Sequence, residues 1–130
     1  MASNKILVSY LISKGTGRSS GMRILQDGRA ETKTGLEPWE KVAQLKPNQV
    51  ERILQALRTS AILELPAHAD APEDMFDSPA CEWQASFDGH TKKAVIGGWD
   101  DRRADDLNMG KLMDQMYTEI SEAQTSSASR

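Results

Sequence analysis

Cysteine is nearly absent from this chain: Cys81 is the only one in 130 residues, so no disulfide can close within it. One Cys and two histidines, His68 and His90, supply none of the Cys-x-x-Cys or His-x-x-x-His pairs on which zinc sites are built. Aromatic residues make up only 5%, which leaves aliphatic side chains and six methionines to fill the interior. No apolar run approaches the ~20 residues that span a bilayer. The start, Met1-Ala2-Ser3-Asn4-Lys5, leads directly into an alternating strand pattern, without the apolar core and small-residue cleavage site of a signal peptide. The expected setting is therefore cytoplasmic, with no membrane partner.

What is present suffices for one domain. Hydrophobic residues reach 38% and charged residues 27%, a balance that supports a packed core. Residues 1–123 read as a single domain, and the Ser-rich stretch 124–130 as a tail expected to fray. Charge is unevenly placed. Residues 1–60 carry 10 Lys and Arg against 5 Asp and Glu, whereas residues 61–130 carry 6 against 14. Such an asymmetry can steer a charged partner. The chain as a whole has a pI near 5.4, which argues against a dedicated nucleic-acid binder.

Hydrophobic periodicity outlines the elements. Ile6, Val8, Tyr10 and Ile12 alternate with Leu7, Ser9, Leu11 and Ser13, the period of a strand. A glycine-rich loop, Lys14 to Gly21, follows. Met22 to Gln26 then pairs through Asp27-Gly28, a preferred tight-turn sequence, with Arg29 to Thr34. The latter is polar throughout and reads as an exposed or edge strand. Trp39 to Leu45 is a candidate fourth strand. Pro47 opens an amphipathic helix over 47–58 on Val50, Ile53, Leu54 and Leu57. Ile62 to Pro66 is expected beneath the sheet edge, and 67–80 as a polar loop. The clearest strand is Cys81 to Phe87, turned by Asp88-Gly89 into His90 to Ile96. Trp99 to Asp106 reads as a charged loop, with Asp105 or Asp106 capping a closing helix. That helix has Met109, Leu112, Met113, Met116, Tyr117 and Ile120 on its inner stripe. The expected fold is α+β: an antiparallel sheet of four to six strands containing two Asp-Gly hairpins, with two amphipathic helices packed on one face.

Catalytic chemistry finds little to work with. Gly15, Gly17 and Gly21 follow a strand, but Ser20 stands where a dinucleotide fingerprint needs glycine, and a strand rather than a helix comes next. Lys14, Arg18 and Arg23 could still hold an anion or nucleic acid. His68 lies near Asp70, Glu73, Asp74 and Asp77, a second class of reading in which a small enzyme or metal-binding protein uses this acidic loop. It lacks the strict spacing of a calcium loop, and no metal or cofactor is assigned. Cys81 reads as a buried small hydrophobe. The carboxylates Asp100, Asp101, Asp105 and Asp106 share their segment with Arg102 and Arg103, which favours ion pairing and capping over acid–base catalysis. No catalytic residue is assigned. The leading reading is a non-catalytic module that binds another protein, with Arg18, Trp99, Asp100 and Arg102 as candidate contact residues, since Trp and Arg are enriched at binding hot spots.

The order of features resembles the emfourin-like inhibitors of thermolysin-type metalloproteases, which are small intracellular proteins. The matching features are the glycine-rich loop after the first strand, the Leu25-Gln26-Asp27-Gly28 hairpin and the helix opened by Lys46-Pro47. Ile62-Leu63-Glu64-Leu65-Pro66, the strand and turn from Trp83 to Gly89, and the closing helix complete it, covering most of residues 5–120. The resemblance implies a non-enzymatic role in which the protein binds and inhibits a metalloprotease. It carries over no individual site residue.

Overall fold

A computed structural model describes residues 5–13, 19–69 and 79–128. The strands are β1 Ile6–Ser13, β2 Ser19–Leu25, β3 Arg29–Gly35, β4 Glu40–Gln44, β5 His68–Ala69, β6 Ala80–Phe87 and β7 His90–Ile96. The helices are α1 Pro47–Thr59, α2 Asp101–Asp106 and α3 Gly110–Ala128, with a short 3₁₀ turn at Ile62–Glu64. The fold is α+β.

All seven strands form one sheet in the order β4-β3-β2-β1-β6-β7-β5. Sheet neighbours that follow one another in sequence pair antiparallel. The seventh strand exceeds the expected four to six. It is β5, which pairs parallel to β7 through His68 and Ala69 alone. Two residues carry no periodicity, so the strand was hidden within a stretch that reads as polar loop.

Register explains why the sheet has one apolar face. Val8 stands opposite Ala85, Tyr10 opposite Trp83 and Ile12 opposite Cys81. Across the next strand pair, Trp83 and Cys81 meet Ala94 and Ile96. On the other flank Ile24 meets Val8 and then Ala30. In-register partners share a face of the pleat. Val8, Ile24, Ala30, Cys81, Trp83, Ala85 and Ile96 join one cluster with Ile53 and Leu57 of α1, Ala104 of α2, and Leu112, Met116 and Ile120 of α3. The helices therefore pack on a single sheet face.

Local chemistry sets the helix ends. Pro47 occupies the first turn of α1, and the Gln49 side-chain oxygen accepts the Lys46 backbone N–H at 3.0 Å. At the other end the Ser60 hydroxyl donates to the Leu57 carbonyl at 2.8 Å. No helix among the described residues is long and apolar enough to cross a membrane.

Four local expectations change. β3 is interior, between β2 and β4, because its polar side chains pair with one another on the sheet surface while Ala30 faces the core. The charged segment after Trp99 forms α2 rather than a loop, since the Asp100 carboxylate caps it by accepting the Arg103 N–H at 2.7 Å. Tyr117 is 62% exposed, and Glu119 takes a buried place on α3. α3 also continues to Ala128, past the start of the expected tail.

Candidate functional site on the open sheet face

The face opposite the helices carries a row of polar side chains in register, beside a second row of Leu11, Glu82 and Val95. Lys41 of β4 pairs with Glu31 of β3, Glu31 with Arg23 of β2, and Arg23 with Ser9 of β1. The line continues from Ser9 to Gln84 of β6 and on to Lys93 of β7. One transverse row thus crosses six strands, all on the side away from Trp83 and Ala85.

Glu31 lies at its centre, 5% exposed. Burying a carboxylate in this way is costly unless it is paired, and two guanidinium groups pair it. Arg23 Nε donates to one carboxylate oxygen at 2.5 Å, and Arg29 Nε donates to the other at 2.8 Å. Arg29 reaches it because residues two apart on a strand share a face. Trp39, just ahead of β4, lies under the Arg23 guanidinium, whose central carbon is 4.3 Å from the ring centroid. Charge and stacking together fix the plane of Arg23. Both arginines engage Glu31 through Nε, so among the described residues their terminal nitrogens carry no hydrogen bond. Lys41 is exposed beside them. Lys33 is tied instead to the β3–β4 turn, donating to the Glu37 carbonyl at 2.6 Å. The cluster is cationic, preorganised and open to solvent. It can bind an anionic group, but Glu31, held by two cations, is no free base.

Of the described residues singled out in the sequence, Arg23 belongs to this cluster, whereas Trp99, Asp100 and Arg102 lie elsewhere. Arg18 and Lys14 lie outside the described residues, as do Gly15 and Gly17. Gly21 is inside β2, where a Cβ would stand 2.1 Å from the Tyr10 carbonyl oxygen. Close approach of two backbones, not ligand binding, accounts for that glycine. Trp99 is not an exposed anchor: it is 4% exposed and meets Trp83 edge-on at 6.0 Å between ring centroids. Its breadth of apolar surface is spent on the core. Asp100 serves as the cap of α2, and Arg102 is exposed on that helix.

The metal reading falls mostly on residues that the structure does not describe. His68 sits in β5 with an interaction of its own, while Asp70, Glu73, Asp74 and Asp77 lie outside the described residues. Among the described residues no group of three or more His, Cys, Asp or Glu side chains is placed to hold a metal ion. Cys81 is fully buried, and burial pushes its thiol far above the ordinary range, so the thiolate a nucleophile requires does not form. Asp105 and Asp106 are exposed; Asp105 places a carboxylate oxygen 3.0 Å from where a Cβ on Gly110 would stand, beside the start of α3.

An open groove of about 800 Å³ runs between α1 and the start of α3. Arg52 in its wall is committed to Glu119, and Glu51, Glu64, Asp105 and Lys111 interleave both signs. It has no counterpart of the ordered Arg23–Glu31–Arg29 cluster of the sheet face.

Sequence reasoning missed Glu31, Arg29, Trp39 and Lys41. The signal available was Arg29-x-Glu31 on one face of a strand hairpin-paired to Arg23. No protein-family model matches the chain, and no curated protein matches it.

Proposed function

We propose that this protein is a non-catalytic protein-binding module, acting in the cytoplasm as an inhibitor of a thermolysin-type metalloprotease. The observation that carries the binding role is the open sheet face, where Arg23 is held between the Glu31 carboxylate and the Trp39 ring. A site whose side chains are ordered before a partner arrives loses less entropy on binding. Arg and Trp are the residue types most enriched where binding energy concentrates. Leu36, three residues before Trp39 in the β3–β4 connection, is 81% exposed and adds apolar surface to that connection. The protease as partner rests on the resemblance to emfourin-like inhibitors.

The test is a titration of the purified protein against a thermolysin-type metalloprotease, following cleavage of a reporter peptide. Stoichiometric loss of activity with the protein intact is the expected result. Full activity at high excess, or digestion of the protein, removes the inhibitor reading for that protease.

A further inference from the structure

We infer that the Arg23–Arg29–Lys41 cluster is the docking point for an acidic segment of a protein partner, whose carboxylates take the terminal guanidinium nitrogens that Glu31 leaves open. This rests on the protein-binding reading above and adds the chemistry of what is bound.

The geometry selects the ligand. A guanidinium can grip a carboxylate along its Nε edge or across its two terminal nitrogens. Glu31 occupies the Nε position of both arginines, at 2.5 Å from Arg23 and 2.8 Å from Arg29. The terminal edges remain, the correct shape for a second carboxylate. The charge does not balance: one carboxylate sits among Arg23, Arg29 and the facing Lys41. Glu31 is 7% exposed at its side chain whereas Arg29 is 41% exposed, so the anion is sunk and the cations surround it at the surface.

The row also sets a length. Lys41 and Lys93 stand at its two ends, five strand spacings apart. At ~4.8 Å per spacing this is about 24 Å, which an extended segment of roughly seven residues covers. The exposed Lys93 gives such a segment a second cationic contact. A single-stranded nucleic acid would need open aromatic faces for its bases. The aromatic ring in this cluster, Trp39, has Arg23 over it. A peptide carboxylate fits this surface better than a stacked base.

Binding of an eight-residue glutamate peptide to the full chain, followed by calorimetry and by the NMR shifts of the Arg23, Arg29 and Trp39 side chains, tests this. An eight-residue glutamine peptide and a thymidine octanucleotide serve as comparisons. Expected are saturable binding of the glutamate peptide, weakened by salt, and shifts confined to the cluster. Lys41→Glu reverses an exposed charge with no structural partner among the described residues, and is expected to weaken binding at least tenfold. Arg29→Gln is expected to do the same if its fold is retained by circular dichroism. Lys111→Glu, an equal charge reversal on α3, is expected to leave binding within twofold. Equal weakening in that control, shifts centred elsewhere, or tighter binding of the octanucleotide at the same residues would overturn the inference. The protease titration separates the two readings. Undiminished inhibition by Lys41→Glu removes this docking point and leaves the inhibitor standing. Glutamate-peptide binding at the cluster without protease inhibition supports the docking point and removes the inhibitor.

Discussion

Arg52 of α1 grips Glu119 of α3 with two parallel hydrogen bonds: Nε donates to one carboxylate oxygen at 2.9 Å, and a terminal nitrogen donates to the other at 2.8 Å. Gln49 donates to the Glu119 backbone carbonyl at 3.0 Å, and Gln115 donates to the carboxylate. A carboxylate only 1% exposed is thereby satisfied from both helices, and α1 is fastened to the closing helix across 67 residues of sequence.

Replacing Glu119 by Ala leaves Gln49 its bond to the backbone carbonyl but removes its 3.3 Å bond to the carboxylate, and it unties Arg52 of α1 from α3. The Arg52 head group is half in water and can turn to Glu122, which limits the damage. The expected loss is about 1–3 kcal/mol, the cost of stranding buried polar groups. A fall in urea midpoint with unchanged slope checks it, since that pattern reports stability without a change in the surface exposed on unfolding.

Stability is expected to fall in acid, and the sign follows from two carboxylates. The Arg52 hydrogen bond holds Glu119 below its ordinary pKa, and the Arg58 hydrogen bonds do the same for Asp88. A group whose folded pKa is depressed contributes fully above its unfolded value, about 4, and loses that contribution as pH falls through the folded value. Asp88 is well exposed, so solvent screens its share and Glu119 dominates. Urea midpoints measured from pH 6 down to pH 3 should fall for the native chain and fall less steeply for Glu119→Gln.

Two glycines with the same turn sequence should respond differently to alanine. Gly28 and Gly89 both follow Asp and both have positive φ, +91° and +78°. Gly89 has open space around a would-be Cβ, whereas at Gly28 that atom would lie 2.7 Å from the Leu45 carbonyl oxygen. Gly89→Ala is expected to cost about 1–2 kcal/mol for left-handed backbone alone. Gly28→Ala is expected to cost clearly more, because the chain entering α1 must also move. Thermal midpoints of the two variants, compared directly, decide this.

Cys81 should resist modification in the folded protein. It lies opposite Ile12 and Ile96 in the middle of the sheet, fully buried, with its thiol held protonated by desolvation. Native protein at pH 8 is expected to give no reaction with an aromatic disulfide reagent, while protein unfolded in guanidinium reacts at once with one equivalent. Rapid labelling of the native chain would show that β6 opens locally.

The legible part of this fold is the part written in long periodic runs. Cys81, Trp83, Ala85 and Phe87 are all buried in β6, as their alternation requires, and the Val50–Leu57 stripe of α1 faces the core. Both Asp-Gly turns stand where expected. What escaped was decided between segments. Two-residue β5 exists only because β7 offers it an edge. β3 looked like a solvated edge because charge was read residue by residue. Only strand pairing shows that Glu31 is held by both Arg23 and Arg29, which lets a polar strand sit inside a sheet. The site on the open face is a product of that pairing, so no motif announced it.

Trp39, ahead of β4, and Trp99, after β7, should therefore part company. Trp99 carries a large apolar surface into the cluster with Trp83 and Tyr10. Trp99→Ala is expected to cost about 3–5 kcal/mol, the range for emptying a buried aromatic site, and to shift the thermal midpoint strongly. Trp39 is half-buried, stacked on Arg23 at the surface and outside the core cluster. Trp39→Ala is expected to leave the midpoint within a few degrees. The variant should bind partner more weakly, because Arg23 loses the ring that fixes its plane. Circular dichroism melts and peptide titrations on the same two proteins separate the roles. Loss of binding in a stably folded Trp99→Ala protein would return the anchor to Trp99 and contradict its placement in the core.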